Sequence, residues 1–153
     1  MTLLPDLPQN AALLEQLRAQ GVPQRHGDYA YEGWELHAHP ELAERLADLA
    51  PHCPILAVYG LPVLAADGIA AVVARGTSAL LVRLPEAPPE ILERAAPYPP
   101  LTDPGRGWYT VSPWQRELGL AASKRLLSQL VRRALTHAAR LAQNGGTDRQ
   151  GPP

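Results

Sequence analysis

Residues 61–84 read LPVLAADGIAAVVARGTSALLVRL. Three apolar runs, Leu61 to Ala66, Ile69 to Ala74 and Ala79 to Leu84, are separated by two short links. The first link is Asp67-Gly68. A two-residue type I′ hairpin turn needs positive φ at both central positions, and Asp and Gly adopt it at low cost. The second link, Arg75-Gly76-Thr77-Ser78, is far too short for the crossover that parallel strands require. Three strands joined this tightly predict an antiparallel meander.

Downstream, Pro88 to Ala95 is flanked by prolines and predicts a short helix, and residues 97–107, PYPPLTDPGRG, predict a loop. Trp108 to Val111 supplies a fourth strand. Leu118 to Ala142 is the longest helix, ended by Asn144-Gly145-Gly146. The order is β-β-β-α-β-α, with helices covering one side of a hairpin-linked sheet, which is an α+β fold. Upstream, Asn10 to Gln20 places Leu13, Leu14 and Leu17 on one helical face, with Gly21 as a stop. Trp34 to Ala38 alternates as a half-buried strand does. Pro40 suits a first helical turn, and Glu41 to Leu49 carries Leu42, Leu46 and Leu49 at helical spacing. The expected fold is therefore an antiparallel β-meander covered by helices, preceded by an N-terminal helix, strand and helix. Residues 1–143 form one domain and 144–153 a disordered tail.

The chain has 153 residues, 46% of them hydrophobic and 19% charged, enough for one domain with a core. The net charge of −1 gives no global field to attract nucleic acid or membrane. All but one of the 14 basic residues are Arg, and Phe is absent, as coding bias in a GC-rich bacterial genome would produce. Cys53 is the only cysteine, which excludes an internal disulfide and a CxxC knuckle. The N-terminus MTLLPDLPQN has no signal-peptide pattern, and no apolar run is long enough to span a bilayer. A cytoplasmic location is expected.

The stretch YGLPVLAADGIAAVVARGTSALLVRLP, residues 59–85, and GWYTV before the long terminal helix resemble the MmcQ/YjbR-like proteins, related in pattern to the N-terminal domains of TfoX-type regulators. The resemblance covers roughly residues 55–142. It implies a compact α+β domain with a meander packed on helices. It also implies a DNA-binding label, without a catalytic motif.

Candidate chemistry is sparse. GxSxG, P-loop and GxGxxG patterns are absent. In GWELHAHPE, residues 33–41, His37 and His39 share a strand face with Glu35, and His-x-His is a metal-ligand spacing. His26 and Asp28 could complete such a site only if the preceding loop folds back. The competing reading is a strand-to-helix corner at Pro40. Cys53 follows His52, but neighbours in an extended chain point apart, so a buried or half-buried structural thiol is expected. Glu41, Glu44 and Asp48 form an ordinary polar helix face with Arg45. On the long helix, Arg125, Arg132, Arg133 and Arg140 gather opposite the apolar arc, with Lys124 at the margin. That stripe is either a solvated face or a track for phosphates. The aromatic-rich loop suggests a small cleft or interface at Tyr59, Tyr98, Arg106, Tyr109 and Trp114. Trp108 is expected in the core.

The expected function is a small non-catalytic binding domain acting on a protein partner or on itself, without a cofactor and without a membrane. Two alternatives stand beside it. One is a DNA-associated module using Lys124, Arg125, Arg132, Arg133 and Arg140. The other is a metal-binding protein using His26, Asp28, His37 and His39.

Overall fold

The computed structural model describes residues 4–21, 29–31, 34–36, 40–75, 79–85, 95–97, 107–111 and 120–144. A 3-10 turn, Pro8–Asn10, leads into α1, Ala11–Gly21. β1, Tyr29–Tyr31, and β2, Trp34–Leu36, pair antiparallel as a separate ribbon. α2, Pro40–Leu49, follows. The main sheet then runs through β3 (Leu56–Val58), β4 (Leu61–Ala66), β5 (Ile69–Arg75), β6 (Ala79–Arg83), β7 (Ala95–Pro97) and β8 (Trp108–Val111). α3, Leu120–Asn144, closes the fold.

The six strands lie in the order β3-β4-β5-β6-β8-β7, every neighbouring pair antiparallel. This is the α+β meander expected from residues 61–84, extended at both edges. β3 enters through a second tight turn at Tyr59-Gly60. Both turns carry the positive φ of type I′: 49° and 79° at Tyr59-Gly60, 51° and 82° at Asp67-Gly68.

Three details differ from expectation. Ala95, the last residue of the helix expected over Pro88 to Ala95, lies in β7, whose Pro97 is tolerated because the strand is an edge. Residues 86–94 lie outside the described residues. Tyr29–Tyr31, for which the sequence pattern predicts no strand, is the partner of the predicted strand, of which His37 and Ala38 lie outside the described residues. α3 runs to Asn144, two residues beyond Ala142, so the first residue of the expected tail is helical.

Helices on one side do not account for the burial. Every residue from Ile69 to Ala74 and from Leu80 to Leu84 is buried, so both faces of β5 and β6 are covered. That explains why these strands read as continuous apolar runs and not as alternation. α3 lies across β4, β5 and β6. Leu127, Leu130, Val131, Ala134, Ala138 and Leu141, at helical spacing, are buried there. Ala134 and Ala138, both fully buried on the sheet side of α3, are small enough for the helix to approach the sheet closely. α2 packs against α3, β1 and β5.

Candidate functional site

α2 buries Ala43 and Leu46, one turn apart, and its C-terminal end leads into the turn Pro51-His52-Cys53. This end stands beside the middle of α3. Between them is an open groove with a volume of about 520 Å³. Its α3 wall consists of two parallel ridges. Val131, Leu135 and Ala139 form an apolar ridge at i, i+4, i+8. Ser128, Arg132 and Thr136 form a hydrogen-bonding ridge at the same spacing. Leu49, Ala50, Pro51, His52 and Cys53 make the other wall. The groove thus combines an apolar floor with a rim that carries a guanidinium, an imidazole, two hydroxyls and a thiol.

Cys53 is half-buried, its Sγ donating to the carbonyl of Ala65 at 3.5 Å. Burial pushes the thiol above its ordinary range, which makes it a weak nucleophile at neutral pH. Of the buried or half-buried thiol expected from the sequence, the fold holds the half-buried form.

Arg125, Arg132, Arg133 and Arg140 are all exposed on the side of α3 opposite its buried arc, and Lys124 lies in the same helix. Across Leu120–Asn144 there are five basic residues and no acid. Glu44 and Asp48 are exposed on α2, which packs beside α3. One surface therefore carries a basic helix and acidic side chains next to each other, with the groove between the helices.

A second polar cluster is internal, and sequence reasoning missed it. Gln9, Asn10, Arg83 and His137 are buried. The last register pair of β5 and β6 is Val72↔Val82, after which Leu84 turns its N–H to the carbonyl of Gly107. Ala70 keeps Ala65 of β4 as its partner on one side but has no register partner in β6 on the other. Its N–H is taken by Asn10 Oδ1 at 2.9 Å and its carbonyl by Arg83 Nη1 at 3.0 Å. Asn10 Nδ2 donates to the carbonyls of Gly68 (2.8 Å) and Pro5 (2.9 Å), so one side-chain amide imitates the edge of a neighbouring strand. Arg83 Nη2 also donates to the carbonyl of Gln9, and its guanidinium lies 5.1 Å from the centre of the Trp108 ring. Gln9 Nε2 donates to the carbonyl of Leu141 in α3, and its Oε1 is buried without a partner among the described residues. Burial first, then the positive charges of Arg83 and Arg140, hold His137 below the ordinary imidazole range. The one signal in the sequence was Arg83, a charge within the apolar run LLVRL.

The residues read as a cleft are not all brought together. Tyr59 is exposed in the β3–β4 turn, and Tyr109 is half-buried on β8 against the core. Four strand steps, roughly 19 Å, separate β3 from β8. Tyr98, Arg106 and Trp114 lie outside the described residues, as do His26, Asp28, His37 and His39. Among the described residues no group of three His, Cys, Asp or Glu side chains could hold a metal, and no helix is long and apolar enough to cross a membrane. Trp108 is fully buried, as expected of a core residue.

No family model, curated protein or solved structure matches this chain.

Proposed function

We propose that the chain is a cytoplasmic binding domain without catalytic machinery of its own, and that its partner surface is the α2–α3 face around the groove. The observation that carries this reading is the groove itself. It pairs an apolar ridge with a polar ridge in a volume of about 520 Å³, a combination suited to burying part of a partner. The resemblance to MmcQ/YjbR-like proteins belongs to the same proposal in that it brings no catalytic motif, while the DNA-binding label it implies belongs to the second reading below.

Site-specific photo-crosslinking tests it. A benzophenone side chain at Thr136, on the rim, should yield discrete adducts in cells, whereas one at Asp67, in the β4–β5 turn, should not. Equal adducts from both positions, or none from Thr136, would sink the groove reading.

A second reading has its own support, the exposure of all four α3 arginines. Spread over about 22 Å of helix, they could track phosphates on duplex DNA. Binding to duplex DNA over a salt series tests it: affinity should fall steeply as salt rises. A flat response would end this reading.

A further inference from the structure

We infer that the occupant of the α2–α3 face is a second copy of this chain, in a two-fold dimer that lays the basic α3 of each copy across the acidic α2 of the other. The inference rests on the groove reading above and names its partner.

The first argument is charge complementarity within one surface. α3 presents Arg125, Arg132, Arg133 and Arg140 to solvent and contains no acid. Its neighbour α2 presents Glu44 and Asp48. A two-fold interface must be self-complementary, because the same patch serves both subunits. A basic helix beside an acidic one meets that condition: rotation by half a turn brings each against its opposite. The second argument is the centre of the patch. Interface cores are apolar and rims polar. Leu49, Val131 and Leu135 line the groove at the junction of the two helices, with Arg132 at its edge.

The third argument is global charge. At −1, two copies do not repel appreciably. The same acidic side chains count against nucleic acid, because Glu44 and Asp48 would face the phosphates of a duplex laid along α3. Area reaches the lower bound: α3 spans about 37 Å and α2 about 15 Å, and helices each roughly 10 Å wide give a footprint on the order of 500 Å² per copy, near the roughly 1,000 Å² in total that a specific interface needs.

Sedimentation of the full chain over a concentration series, at low and high salt, tests the inference. The chain should dimerise reversibly, and salt should weaken the dimer. Arg132→Glu and Asp48→Arg should each weaken it at least about tenfold, with thermal unfolding of the dilute, monomeric chain unchanged because both residues are exposed. An equimolar mixture of the two variants should recover the loss, since each half of the interface again pairs opposite charges. Arg18→Glu, the same charge change on the exposed side of α1, should leave the dimer intact. A wild-type chain monomeric at every concentration, a mixture no tighter than its components, or equal weakening by Arg18→Glu would overturn the inference. Crosslinks from Thr136 to a different protein, or to DNA, with a monomeric chain would leave the groove in use and overturn self-association alone.

Discussion

Replacing Asn10 by Ala removes three hydrogen bonds and one side chain that is 0% exposed. The carbonyl of Pro5, an exposed residue, can turn to water. The N–H of Ala70 cannot, because Ala70 is buried, and the half-buried carbonyl of Gly68 can do so only in part. A buried polar group stripped of its partner costs about 1–3 kcal/mol. One full orphan, one partial orphan and a small cavity place the loss at about 3 kcal/mol. That is a large share of the roughly 5–15 kcal/mol that stabilises an ordinary domain. Asn10→Asp provides an internal check. It keeps the acceptor facing the Ala70 N–H but turns a second, charged oxygen toward two carbonyls, so at pH 7 it should be at least as damaging as the Ala variant. Protonation restores a donor there, so the Asp variant should recover relative to wild type as pH falls toward 4. Urea unfolding followed by circular dichroism measures both. A loss below about 0.5 kcal/mol for Asn10→Ala, or an Asp variant insensitive to pH, would refute the assignment of Asn10 as the side chain that completes the edge of β5.

Gly107→Ala should destabilise by about 2 kcal/mol or more, read by thermal unfolding, because φ is +59° and a Cβ would lie 2.0 Å from the Leu84 carbonyl oxygen. His137 is held below its ordinary value, so the native state binds fewer protons than the unfolded chain; stability should fall as pH drops through about 6.5 and level off below the folded value, and His137→Gln should flatten that part of the curve. Cys53 should react with iodoacetamide at pH 7.5 more slowly than a free thiol, its rate rising with pH beyond the ordinary cysteine range, and an occupied groove should slow it further.

The meander was legible because its information is local. Asp67-Gly68 specifies a turn, and the runs on either side are too long and too apolar to be anything but buried. Tyr59-Gly60 makes the same turn with a residue that pays for positive φ, so composition gave no warning of β3. The position of β8 between β6 and β7 is a long-range pairing, and no pattern within Trp108–Val111 states which strand it will join. β7 was hidden for a different reason. Prolines around Ala95 punctuate a helix or an edge strand equally well, and only the hydrogen bonds to β8 decide between them.

The same distinction between local and distant information separates the two polar regions. Asn10 looks like an ordinary helix start, and its role depends on residues 58 and 60 positions away. Its amide groups are fully engaged there. The Arg83 guanidinium is likewise committed, to two backbone carbonyls and the Trp108 face. Such groups specify the packing of the N-terminal segment against β5 and have little capacity left for a ligand. The α3 arginines are the reverse case: their exposure followed from helical periodicity alone, but their neighbours did not. Only the packing of α2 beside α3 turns a basic stripe into half of a self-complementary surface, with Glu44 and Asp48 as the other half. Specificity therefore depends less on the number of arginines than on the acidic helix next to them, and that neighbour is what favours a second copy over a polyanion.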